Sequence, residues 1–202
     1  MDNQNTMSVH RQEAAAKLSP MGVKFFKFIE FDDDEQLLTE IRKHPIGVIV
    51  IGATGILISL IISTATALLA RNFDSLGLAS TGNFKLLILV GGLILSLLAL
   101  AATALSVVIY QNNVIYLTDQ KVAEVAYLSV FNRKVTQLGL GSIEDVTFRQ
   151  QGIFPRLFNY GTIIIETAGE IENCDFTYMP NPNFYSQEFI QAHEQYIQTH
   201  EK

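Results

Sequence analysis

Apolar residues run uninterrupted by charge from Ile46 to Ala70 and again from Leu86 to Tyr110. Each run holds twenty-five residues, which as a helix rising about 1.5 Å per residue reaches roughly 37 Å, enough to cross a hydrocarbon core of about 30 Å with some tilt. The pattern predicts two transmembrane helices, residues 46–70 and 86–110, joined by a short link from Arg71 to Lys85. Two buried helices of a soluble protein are the competing reading. It is disfavoured because lipid, not water, excludes charge from every side of a helix. A cleaved signal sequence also fits badly: the first run starts only at Ile46, exceeds an apolar signal core in length and is followed by a second run.

Ahead of the first run the pattern changes twice. Residues 1 to about 20 are polar and lack apolar periodicity, which predicts a mobile tail. Met21 to Phe31 is rich in Phe with Lys24, Lys27 and Glu30 at three-residue spacing, and fits either an amphipathic helix on a membrane or an extended segment packed on the later domain. Asp32 to Glu35 then precede Leu37, Leu38 and Ile41, with Arg42 and Lys43 at the far end. Acid first and base last complements a helix dipole, so a short helix feeding the first span is expected. Residues 1–45 together form the N-terminal tail and this short amphipathic helix.

Beyond Gln111 the period shortens. Val114 to Thr118, Lys121 to Leu128, Arg133 to Leu138, Ile143 to Arg149, Thr162 to Thr167 and Asp175 to Met179 are rich in β-branched and aromatic residues and are separated by turn-formers. They predict six or seven antiparallel strands. One helix follows, with Asn181 as its N-cap, Pro182 at its first position, and Tyr185, Phe189, Ile190, Tyr196 and Ile197 on one face. Residues 111–202 have the size of one small domain.

Charge orients the chain. Basic residues flank the first run on its N-terminal side (Lys24, Lys27, Arg42, Lys43) and recur after the second, whereas the link carries only Arg71 and Lys85. The positive-inside rule therefore places both termini in the cytoplasm, as an integral inner-membrane protein with two spans. The single cysteine, Cys174, then faces a reducing compartment, and an intrachain disulfide is excluded.

Within the first run Gly55, Ser59, Ser63 and Ala67 recur every fourth residue, and Gly92, Ser96, Ala99 and Thr103 form a comparable strip in the second. Small residues let backbones approach closely, so the two spans are expected to pack on each other. Homo-oligomerisation through the same strip is the alternative. Neither run contains Asp, Glu, Lys, Arg or His, which argues against a proton relay or a self-sufficient transporter.

The order of hairpin, then Tyr116-Leu117-Thr118-Asp119-Gln120-Lys121, Phe131-Asn132-Arg133, Ile143-Glu144-Asp145-Val146, Gly152-Ile153-Phe154, Phe158-Asn159-Tyr160-Gly161 and Glu166-Thr167-Ala168-Gly169, resembles the bacterial membrane-anchored PH-like (YdbS-like) family. The resemblance extends from about Glu35 to Tyr196 and is most telling from Gly161 to Gly169. It implies a two-helix transmembrane hairpin followed by an α+β PH-like domain, a bent antiparallel sheet or barrel with a C-terminal helix. It carries no catalytic residues with it.

Composition narrows the chemistry. Residues 111–202 hold six Lys or Arg against eleven Asp or Glu, a net charge of minus five. Net repulsion disfavours nucleic acid and argues against carrying phosphoinositide binding over from eukaryotic PH domains. Arg133 and Lys134 on a hairpin fit a solvated turn better than an anion site. The acidic run at Asp32 lacks the spacing of metal ligands, His44 reads as interfacial, and His193 has no nucleophile or carboxylate constellation around it. No catalytic, cofactor or metal residues are expected. Gly152 to Phe158 is the most informative surface candidate: Phe154, Arg156, Leu157 and Phe158 fit membrane or partner contact, although plugging of the barrel end by the apolar side chains is favoured. The expected function is a non-enzymatic membrane-anchored interaction module that recruits or organises a protein or lipid partner. The alternative is an accessory subunit of a membrane enzyme or transporter, docking through the hairpin.

Overall fold

The computed structural model describes Leu18, Ile29 and residues 35–73, 83–167 and 174–200. The chain divides into two compact units, Gly47–Val108 and a globular unit of Met1–Ile46 with Ile109–Lys202.

The first unit is a helical hairpin of α1 (Ile46–Arg71) and α2 (Asn83–Gln111), both long and apolar enough to cross a membrane. The helices meet through small residues. Gly55 sits where an added Cβ would collide with the Thr103 side chain, and Gly92 where one would collide with Thr66. Ser59 and Ser96 are buried and hydrogen-bonded to each other, and Ser63 Oγ donates to Ser96 Oγ at 3.2 Å. Ala99 and Thr103 are half-buried, but Ala67 is exposed. A strict four-residue step advances about 400° and so drifts about 40° each time; three steps beyond Gly55 the position has turned about 120° off the seam. The contact passes instead through Ile62, Thr66 and Ala70.

The globular unit is built on two antiparallel sheets. Strands β1 (Leu37–Arg42), β2 (Val114–Thr118), β3 (Lys121–Tyr127) and β4 (Arg133–Gly139) form the first in that order. After a 3-10 turn at Leu140–Ser142, β5 (Ile143–Arg149), β6 (Tyr160–Thr167) and β7 (Cys174–Pro180) form the second. A short helix α3 (Ile153–Leu157) links β5 to β6, and α4 (Pro182–His200) closes the unit. The C-terminal strands thus fall where β-propensity and turn residues put them.

The segment ahead of the hairpin differs from expectation. Leu37 to Arg42 is a strand, not a helix, and pairs antiparallel with β2 from Leu37 opposite Thr118 to Arg42 opposite Val114. Leu37 and Ile41 are buried while Leu38 is exposed, the alternation of a strand. The reason lies in β2, which is buried along its whole length: its backbone needs a ladder partner on the side away from β3, and a helix over these residues would leave those groups unpaired. Glu35 is buried in an ion pair with Lys121 at 2.9 Å, and Gln36 N–H donates to Asp119 Oδ1. Asp32 to Asp34 lie outside the described residues.

β2 feeds two cores. Ile115 and Leu117 face Ile41, Ile163, Ile165, Phe176 and Phe189 of α4; Val114 and Tyr116 face Leu37, Ala123 and Val125. The second core also contains Leu18 and Ile29. At these two positions the N-terminal region is packed on the domain, which favours the packed reading at Ile29 and departs from a mobile tail at Leu18. On α4 the buried residues are Pro182, Ser186, Phe189 and Ala192, whereas Ile190 is exposed. His193 Nδ1–H donates to the Leu140 carbonyl at 2.7 Å, tying the helix to the 3-10 turn.

Candidate functional site

The register brings the two chain crossings of the globular unit side by side. Arg42 lies opposite Val114; from Arg42 the chain passes through His44 and Pro45 into α1, and from α2 it returns through Asn112 and Asn113 to Val114. An aromatic cluster marks this end. The His44 ring stacks on Tyr160 with centroids 5.4 Å apart, Tyr160 stacks on Tyr178 at 5.7 Å, and Tyr110 meets Tyr178 edge-on at 5.8 Å. His44 N–H donates to the Tyr178 carbonyl at 2.6 Å, and Tyr110 Oη–H donates to the His44 carbonyl at 2.7 Å. His44 Nδ1 accepts from the Ile46 N–H, and burial lowers the histidine pKa, so its ring is neutral at pH 7.

Tyr178 reaches this cluster by an irregular backbone. The β6–β7 register shifts between Gly161 and Ile163, and Tyr178 has φ 58°. A bulky side chain at positive φ is strained by about 1–3 kcal/mol, and a bulge of this kind re-aims a side chain. Gly161 permits the geometry, since a Cβ there would lie 2.6 Å from the Arg149 carbonyl oxygen. Asn159 and Asn181, both at positive φ, are joined through their side-chain amides, and Asn181 N–H donates to the Asn159 carbonyl at 2.9 Å. The Asn181 backbone carbonyl accepts from the Phe184 and Tyr185 N–H groups at the start of α4.

α3 projects beside the cluster. Gly152, at φ 102°, turns the chain into it, and Gln150 Nε2–H donates to the carbonyls of Pro155 and Tyr160 at 3.2 and 3.1 Å. None of its residues is buried: Ile153 is 80% exposed, Leu157 70% and Phe154 65%. The apolar side chains therefore do not plug the barrel, because the interior at this level is already filled by β6 and β7 residues such as Ile163 and Met179. Phe154 and Phe158 stack on each other one helical turn apart. An open cleft of about 250 Å³ runs from Pro155 past Tyr160 to Tyr178, and one of about 560 Å³ is lined by Arg42, Lys43 and His44 with Tyr185.

The β3–β4 turn lies at this end too. Tyr127 N–H donates to Asn113 Oδ1 at 2.7 Å, and the turn beyond it carries Leu128, Val130 and Phe131, all exposed, with Phe131 at 99%. The sequence assigns Leu128 to a strand, Phe131 to a family-like motif, and Arg133 and Lys134 to a solvated turn, with no indication that the apolar side chains here are exposed. The exposed apolar triplet between Arg133 and β3 was the missed signal. Cys174 is half-buried, and burial, followed by the Glu124 carboxylate, raises its thiol pKa. Among the described residues no group of three or more His, Cys, Asp or Glu side chains is placed to hold a metal ion.

Two antiparallel sheets closed by a C-terminal helix, joined to an apolar helical hairpin, define a PH-like domain on a hairpin. The sequence model of the bacterial PH domain matches residues 46–192, and the chain belongs to that family. The match begins with α1, so β1 lies ahead of it. No curated protein and no solved structure matches the chain.

Proposed function

We propose that this chain is an integral membrane protein whose hairpin crosses the bilayer twice, with both termini cytoplasmic, and whose PH-like domain is a non-enzymatic module that recruits or organises a protein or lipid partner at the membrane face. The observation that carries the reading is the insertion of a hairpin with two charge-free apolar runs between two paired strands, Arg42 opposite Val114. Such a connection holds the domain at the membrane by two chain crossings rather than one flexible linker. The basic residues around the first span support the cytoplasmic orientation. The accessory-subunit reading is the weaker, since the serine hydroxyls and glycines of the small-residue strip are engaged within the hairpin.

The test is affinity purification in mild detergent of the full chain beside the isolated hairpin, residues 46–111, with identification of co-purifying proteins and lipids. Partners held only by the full chain support recruitment by the domain. Partners retained by the hairpin alone contradict it and favour docking within the membrane.

A further inference from the structure

Exposed apolar side chains and basic side chains of the globular unit gather at one end. At the end where the chain enters and leaves the hairpin lie two projections, the β3–β4 turn with Val130 and Phe131, and α3 with Ile153, Phe154 and Leu157. Their common placement follows from contacts within the unit: Tyr127 is bonded to Asn113, and Tyr160, which follows α3, stacks on His44. Single exposed apolar residues are ordinary, but two protruding clusters at one end of a small domain need an occupant.

The charges point the same way. Of the seven described Lys and Arg residues of the unit, Arg42, Lys43, Arg133, Lys134, Arg149 and Arg156 are on or beside these elements, and only Lys121, paired with Glu35, is at the opposite end. Asp119, in the β2–β3 turn, is at that opposite end beside Gln36, whereas Glu124 lies within reach of Lys43 and Lys134, and Asp175 follows Cys174, which Lys134 also reaches. Glu40, nearer the basic end, is bonded to Arg42 at 2.8 Å. The described Lys and Arg side chains thus concentrate at this end, with Glu40 and Glu124 among them.

We infer that the β3–β4 turn and α3 insert their apolar side chains into the interfacial layer of the same leaflet from which the hairpin enters the bilayer, with the surrounding Lys and Arg side chains on anionic headgroups. The occupant is the lipid surface, because the two hairpin crossings hold this end at the bilayer and because the pattern, apolar tips ringed by cations and interleaved with tyrosines, is that of interfacial anchoring. The domain then rests on the membrane at three points: the hairpin crossings, the turn and the short helix. The inference rests on the membrane-anchored reading and is independent of whether a protein partner is recruited.

The full chain, with Cys174 replaced by Ala, is labelled with an environment-sensitive fluorophore at one new cysteine at a time and placed in nanodiscs of phosphatidylethanolamine and phosphatidylglycerol. Phe131→Cys and Phe154→Cys test the two projections, Val130→Cys and Ile153→Cys repeat them, Glu144→Cys reports the start of β5, away from α3, and Leu93→Cys reports the hairpin. The expected result is blue-shifted emission and loss of most of the signal to lipids carrying a nitroxide high on the acyl chain for both projections, with Glu144 remaining aqueous. Exchange of phosphatidylglycerol for phosphatidylcholine should reverse much of the shift at the projections and none at Leu93. Aqueous spectra at both projections with a lipid-quenched Leu93 overturn the inference and leave the anchor standing, as for a surface that takes a protein partner. An aqueous Leu93 overturns the anchored reading itself.

Discussion

Gly161 shows how one residue controls the junction. Its Cα faces the Arg149 carbonyl across β5 and β6 with no room for a side chain, and the neighbouring bulge turns Tyr178 towards Tyr110 and Tyr160. Gly161→Ala should destabilise the domain by about 1–3 kcal/mol, the usual cost of forcing an atom into packed structure, measured as a lowered thermal midpoint of the full chain in detergent. An unchanged midpoint would show that the strands separate without penalty. His44 plays a complementary part: its backbone N–H bonds to β7 while its ring stacks on β6, so one residue at the end of β1 joins the two sheets. The sequence gives little warning of this, since a lone histidine before a proline looks the same whether it stacks on tyrosine or faces solvent.

Among the elements, those written by local pattern were legible and those written by tertiary pairing were not. The two apolar runs become α1 and α2, and strands such as β2 and β5 match their propensity boundaries residue for residue. Leu37 to Arg42 was misread because Leu37, Leu38 and Ile41 satisfy a helical spacing as well as a strand's, and the deciding factor, the open edge of β2, lies over seventy residues away in sequence. α3 was visible as an apolar segment but not as an exposed one, since exposure depends on how completely β6 and β7 fill the interior. In the hairpin, the strip was readable up to Ser63 and failed at Ala67, where helical drift takes the four-residue repeat off the seam. That difference yields a paired prediction. Gly55→Leu should force α1 and α2 apart at Thr103 and lower the detergent stability of the hairpin, whereas Ala67→Leu, on an exposed face, should leave it within about 0.5 kcal/mol; equal effects at the two sites would show that the helices do not meet along this seam.

Over the whole molecule, the hairpin interrupts a PH-like domain instead of preceding it. β1 supplies Ile41 to one core and Leu37 to the other, and Ile29 adds to the second, so the residues after Gln111 do not contain the complete domain. The two chain crossings leave from paired residues, so the hairpin is tied to one end of the domain by two connections rather than one. The most direct test joins residues 1–45 to 111–202 through a short glycine-serine linker that replaces the hairpin, and compares this chain with residues 111–202 alone by circular dichroism and thermal unfolding. The account predicts that the joined chain is soluble and unfolds cooperatively, while residues 111–202 alone, with β2 unpaired along one side and both cores incomplete, show no cooperative transition. Equal stability of the two chains would contradict the account, for it would mean that β1 is dispensable and that the domain begins only after the hairpin.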